Sequence, residues 1–421
     1  MSTLTLIAAL AALSAPVLSE LSTARPTPAE EELAVANERV AKNEDDSRSY
    51  VALAFAHTKR ARETADPTHY EQALQAVERS LEIAPDSFAA LKAKTWVLLG
   101  QHEFPAALEL ATELNKRAPD DVQVYGFLVD AHVELGNYDQ AEEAAQWMLD
   151  LRPGNVPGLT RAAYLRELFG DLEGAIELFE MAYVQIVRHE VEDRAWILTQ
   201  LAHLHLASGD LERAERLSSE ALDLFPEYHY ALAELAKVHV ARGDHERAAE
   251  VYGRRYKVAP HPENLYDVAC SLERAGRTTE ADELYARFEE EALAESVNWD
   301  NANRELTRYY AEIALQGDPA AAGRALEIAT REAERRGDVH TLDTYAWALF
   351  AAGRFDEARD AIDEALTVGI DDAEIVYRAG CIAAAQNDRE AARRHFERSL
   401  RRNRHSSVAA DAERRLAELD A

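Results

Sequence analysis

An alanine returns along this chain in a steady phase. It stands at Ala73, Ala107, Ala141 and Ala175, each 34 residues after the last, and then at Ala214, Ala248, Ala281, Ala322, Ala358 and Ala392 with spacings between 33 and 41. A period of this length marks a chain built by stacking one supersecondary unit, because no single copy can bury its own apolar face. Five residues before the marker stands a glycine in seven copies (Gly136, Gly170, Gly209, Gly243, Gly276, Gly317, Gly353), and Asn387 takes that place in the last. Both residue types tolerate the left-handed conformation that ends a helix. Twelve residues after the marker, Pro85, Pro119, Pro153, Pro226 or Pro260 calls for a second helix to stop. Twelve before it stands a small residue, as at Ala163, Ala202, Ala236, Ala269 and Gly380, where two helices crossing closely leave no room for a long side chain. The unit is therefore a helix, a tight turn and a second helix.

This pattern, with "VYGFLVDAHVELGNYDQA", "YLRELFGDLEGAIELF" and "TLDTYAWALFAAGRFDEA" as its clearest copies, resembles the tetratricopeptide repeat, and the exported bacterial proteins that carry it. The expectation is an all-α superhelix of about ten helix-turn-helix repeats over residues 46–404, preceded by a leader and N-terminal helix (20–45) and closed by a polar-faced capping helix (405–421). Thr27, Pro28 and Glu30 form a helix start, with threonine as cap, proline at the first position and glutamate three residues after the cap. The first two copies carry Thr68 and His102 in place of the turn glycine, and the connections before Ala214 and Ala322 are longer, so irregular joints are expected there.

The resemblance implies a concave wall made by the first helix of each repeat, with an extended peptide or a partner helix as the usual ligand. Carrying the phase across residue by residue makes Trp96, Tyr164, Tyr266, Trp347 and Tyr377 the aromatic contact candidates, with Arg161, Glu167 and Lys237 as polar partners and His203 facing the same groove. Aromatic faces supply apolar contact at low entropy cost, while a few charges set register. His132, His205 and His239 share another repeat position and read as packing residues.

Composition narrows the function further. With 77 acidic against 46 basic residues, the net charge of -31 disfavours nucleic acid and anionic membranes, whose binding needs clustered cations. No phosphate loop, nucleophile elbow, HExxH helix or dinucleotide fingerprint occurs, so a non-enzymatic monomer that needs no cofactor and no metal is expected. A cation-binding protein or hydrolase built from carboxylates and His203 is the alternative from another class. Cys270 and Cys381 fall three repeats apart and are expected as two free thiols. The first nineteen residues hold no charged side chain and an apolar run from Leu4 to Leu13, which reads as a secretory signal cut after Ala15 or Ser19, leaving no transmembrane segment in the mature chain. Export to the periplasm or beyond follows; if the segment is retained, the chain is a cytoplasmic adaptor.

Overall fold

The computed structural model describes residues 26–420, so the export segment and its cleavage site lie outside the described residues. Those residues form helices and connections, with no strand among them. Helix α1 (Pro28–Lys42) opens with a full capping box, in which Thr27 Oγ1 accepts from the Glu30 amide and the Glu30 carboxylate accepts from the Thr27 amide at 2.9 Å. Ten helical hairpins follow: α2 (Ser47–Thr64) with α3 (Thr68–Ile83), α4 (Phe88–Gly100) with α5 (Phe104–Arg117), α6 (Val122–Glu134) with α7 (Tyr138–Leu151), α8 (Val156–Leu168) with α9 (Leu172–Gln185), and α10 (Val191–Ala207) with α11 (Leu211–Leu224). They continue as α12 (His229–Ala241) with α13 (His245–Val258), α14 (Pro262–Arg274) with α15 (Thr278–Glu295), α16 (Asn303–Leu315) with α17 (Pro319–Arg335), α18 (Val339–Ala351) with α19 (Phe355–Thr367), and α20 (Ala373–Ala385) with α21 (Arg389–Arg402). A last helix, α22 (Ala409–Asp420), packs on α21.

Local chemistry accounts for these boundaries. In the copies ending at Pro85, Pro119, Pro153, Pro226 and Pro260 the second helix stops two residues earlier, since a residue before proline is pushed out of the helical region. All seven turn glycines have positive φ, and Asn387 matches them at 60°. The second copy keeps the geometry without glycine, His102 holding φ at 61°. In the first copy the left-handed residue is Ala65 rather than Thr68, because Thr68 already begins α3. The marker alanines 73, 107, 141, 175, 214, 248, 281, 358 and 392 are inaccessible to solvent, as are Ala163, Ala202, Ala236 and Ala269. At Gly380 a Cβ would lie 2.6 Å from the Phe396 ring, which is why that crossing holds no side chain at all.

First helices touch one another from repeat to repeat (α2 on α4, α4 on α6, α6 on α8, α10 on α12, α16 on α18), whereas second helices pack on the first helices of their own and the following repeat. The first helices therefore form the inner wall and the second helices the outer one.

The superhelix closes on itself. Residues about 200 positions apart meet along a continuous seam: His261 bonds the Ala65 carbonyl, the Val339 amide donates to the Tyr138 hydroxyl at 2.8 Å, and Asn403 Nδ2 donates to the Leu206 carbonyl at 2.9 Å. Gly136 lies against Gly337, and Gly170 against Gly369. At 34 residues per repeat, this separation corresponds to about six repeats per turn of the superhelix. The groove expected from the sequence is therefore an enclosed channel whose neighbouring turns are in contact.

Candidate functional site

The channel wall is built by one charged position of the repeat. Arg161, Glu234, Asp267, Arg308 and Arg378 each stand fourteen residues before a marker alanine, three residues ahead of the predicted row. Four of them reach the neighbouring first helix through ion pairs, and Asp267 reaches the second helix α13.

On α8, Arg161 donates from Nε to Asp130 Oδ1 at 2.8 Å and from Nη2 to Oδ2 at 2.5 Å, and also reaches the Gly126 carbonyl at 3.1 Å. Three residues on, the Tyr164 ring packs half-buried against the core of α6 to α8. Glu167 accepts from His203 Nε2 at 2.7 Å, His203 Nδ1 faces Glu234 at 3.6 Å, and Glu234 accepts from Lys237 at 2.7 Å. This run links α8, α10 and α12. Arg255 on α13 holds Asp267 at 2.9 Å. Farther along, Arg308 and Arg378 converge on Asp343 at 4.0 and 2.6 Å, joining α16, α18 and α20.

These pairs set the protonation states. Burial works against a charged imidazole at His203, but Glu167 and Glu234 outweigh it and raise the group to about 10. Burial likewise opposes a charged Glu234, yet Lys237 and His203 hold it down to about 2. His203 is thus a cation at neutral pH, with both ring nitrogens directed at carboxylates. It is unsuited to act as a metal ligand or general base, and the acid/base alternative loses its central residue. Although protein surrounds them, His203 keeps 38% and Lys237 45% of their side chains accessible, so solvent can reach both. Charges of both signs alternate along this wall.

The aromatic candidates separate into two groups. Trp96 rests on Phe55 at 5.5 Å and Tyr266 on Phe288 at 5.0 Å, each half-buried. Trp347 and Tyr377 are only 8% accessible. Trp347 stacks on Phe350 at 4.7 Å and donates from Nε1 to Glu312 at 3.1 Å, and Tyr377 packs on Phe396 at 5.7 Å. Both are corrected from groove contacts to packing residues: Phe350, one turn on along α18, covers the Trp347 ring, and Phe396 of the second helix α21 covers Tyr377. Both cysteines are free, and burial, chiefly, pushes the Cys270 thiol up to about 11.

Sequence reasoning missed Glu234, Arg308 and Arg378 as wall residues. A charged residue fourteen before the marker in six copies, Lys59 in the first, was the available signal. The seam residues Gly337, Gly369 and Asn403 had none, because their partners lie six repeats away.

Comparison with known proteins agrees with this architecture. Models of the tetratricopeptide repeat match residues 98–155, 128–188 and 199–263. No curated protein matches the sequence. Similar solved structures include a thermophilic TPR protein of Thermus thermophilus (22% identity, 46% of this chain and 98% of that one, TM-score 0.40). Yeast Tom70 is similar at 13% identity (92% and 91%, TM-score 0.42), as is a human IFIT1 dimer at 12% (88% and 94%, TM-score 0.48). Residues 98–188 and 199–263 thus carry tetratricopeptide repeats, and the hairpins before and after them keep the same left-handed turns and buried marker alanines.

Proposed function

We propose that this chain is a non-enzymatic scaffold that holds an extended peptide or protein partner along the inner wall of its superhelix. Tetratricopeptide arrays are interaction scaffolds, and a solenoid offers a long concave surface for that purpose. The observation that carries the reading is the run Glu167, His203, Glu234 and Lys237: a charged, hydrated strip on three successive first helices, flanked by the half-buried faces of Tyr164 and Tyr266. Such a strip fixes the register of a ligand that pairs with its charges, while the rings provide apolar contact.

The same proposal places the protein as a monomer at a bacterial cell envelope after export, on the strength of the uncharged, apolar stretch from Leu4 to Leu13 and the small residues after it. No helix among the described residues is long and apolar enough to cross a membrane. Intact-mass measurement of the native protein tests the export step, with loss of fifteen or nineteen residues expected and a full-length mass contradicting it.

The binding claim is tested by capture from the native host at two salt concentrations, wild type beside Lys237→Glu. A partner retained at low salt, weakened at high salt and lost from the variant supports the channel wall as the site. Equal capture by both proteins excludes it.

A further inference from the structure

Nine of the ten hairpins close their turn by themselves. In the third, the Leu135, Gly136 and Asn137 amides donate to the Ala131, Val133 and His132 carbonyls, and the other eight repeat that set of bonds. The last carbonyls of a helix, which have no partner within it, are satisfied in this way. The first hairpin lacks the set. Pro67 carries no N–H, the Asp66 and Thr68 amides donate to the side chains of Thr64 and Asp66, and only the Ala65 amide reaches back, to Ala61. Its free carbonyls are capped from the second superhelical turn instead: His229 Nε2 donates to the Arg62 carbonyl at 3.1 Å, and His261 Nε2 to that of Ala65. Beside them the Arg62 guanidinium donates to Glu192 at 2.9 Å and to Asp193 at 2.5 Å.

The seam changes character along its length. At the third and fourth repeats one apolar core runs through both turns, with Tyr125, Phe127 and Leu165 of the first and Ile362, Ile370 and Ile375 of the second in a single cluster. The core of the first repeat, built on Ala73, Val77, Ala93 and Val97, includes no residue of the second turn. Between these two regions, at the second repeat, a cavity of about 160 Å³ lined by His102, Asn301, Arg304 and Arg336 interrupts the packing. Ion pairs and hydrogen bonds at a part-exposed contact exchange for bonds to water at small net cost, whereas parting a shared apolar core exposes surface that water solvates poorly. The first repeat is therefore the end of the seam that separates most readily.

We propose that α1 and the first hairpin form a gate, which swings off the second turn by flexing across the second repeat and opens the side of the channel while repeats three and four stay fixed. Helix α1 moves with the hairpin, because Thr27 Oγ1 donates to the buried Glu63 carboxylate at 2.5 Å. On the channel reading given above, on which this consequence rests, a side opening admits a segment from the middle of a partner chain, with no free end to thread.

Double electron–electron resonance on the full chain tests the gate, with Cys270→Ser and Cys381→Ala as background. Spin labels at Glu71→Cys and Lys257→Cys span the gate, and labels at Asp139→Cys and Thr367→Cys span the apolar part of the seam; all four sites are exposed. Adding Arg62→Met and His261→Ala should at least double the share of the longer distance for the first pair, leaving the second pair and the helical circular dichroism unchanged. Distances across the gate that ignore these two substitutions would overturn the proposal, since the clasp then holds nothing. Lengthening of both pairs together would overturn it as well, because the seam would then open or unfold as a whole. No partner enters the experiment, so failure of the channel reading leaves its result untouched.

Discussion

Arg378 and Asp343 meet as a two-pronged pair, Nε to Oδ1 at 2.7 Å and Nη2 to Oδ2 at 2.6 Å, with Asp343 wholly shielded from solvent. Removing one partner of a buried pair leaves an uncompensated charge, which costs about 3 to 5 kcal/mol. Because Glu374 stays 3.7 Å from the same guanidinium, Asp343→Ala should fall near the lower bound. Hydrogen exchange read over α18 and α20 is the suitable measurement, since a solenoid can open one repeat at a time. The double variant Asp343→Leu/Arg378→Met should recover most of the loss; a double variant as weak as the single one would show that the charges themselves are required.

What the sequence made legible was whatever repeats locally. Helix stops at Pro119 and Pro153, the turns at Gly136 and Gly170, and the buried crossing at Ala141 all follow from chemistry within one hairpin. The assignment of Trp347 to the channel failed because the repeat phase specifies direction along a helix and is blind to depth: Phe350, one turn on, stacks on the ring and Glu312 of the preceding repeat takes its N–H. Closure of the superhelix was invisible for a different reason. It depends on small rotations accumulated over about six repeats, and no single residue encodes that sum.

Gly136 and Gly243 form a controlled pair for testing the seam. Both hold positive φ, at 73° and 75°, so alanine at either site bears the left-handed penalty of about 1 to 2 kcal/mol. Only at Gly136 would the new Cβ meet another turn, 2.4 Å from the Gly337 carbonyl oxygen; at Gly243 nothing stands within 4 Å. Gly136→Ala should therefore part the turns and enlarge the radius of gyration in small-angle scattering, while Gly243→Ala should lose stability without changing shape. Identical scattering from both variants would rule out the seam as the element that sets the shape.

The ladder through His203 has two pH limits. His203 is raised from 6.5 to about 10, so its contribution to folding is complete below 6.5 and is lost as the pH climbs through about 10. Glu234 is lowered from 4.5 to about 2, so its contribution is present above 4.5 and is lost as the pH falls through about 2. Imidazole resonances of His203 should accordingly show a doubly protonated ring at pH 8.5, and Glu167→Gln should bring its titration back toward neutrality. A ring that titrates near 6.5 in the wild type would mean that the pairs with Glu167 and Glu234 do not form in solution.

Trp347 supplies the sharpest contrast between wall and core. Truncating a buried aromatic to alanine costs about 3 to 5 kcal/mol, and here the loss is compounded because the Glu312 carboxylate gives up the indole N–H that it accepts at 3.1 Å. Trp347→Ala should therefore lower the urea midpoint strongly. Lys237→Ala, whose side chain is nearly half exposed and paired only with Glu234, should move it by less than about 1 kcal/mol while changing whatever binds the channel. A Trp347→Ala protein as stable as wild type would return that ring to the channel surface and restore the groove assignment that its burial now opposes.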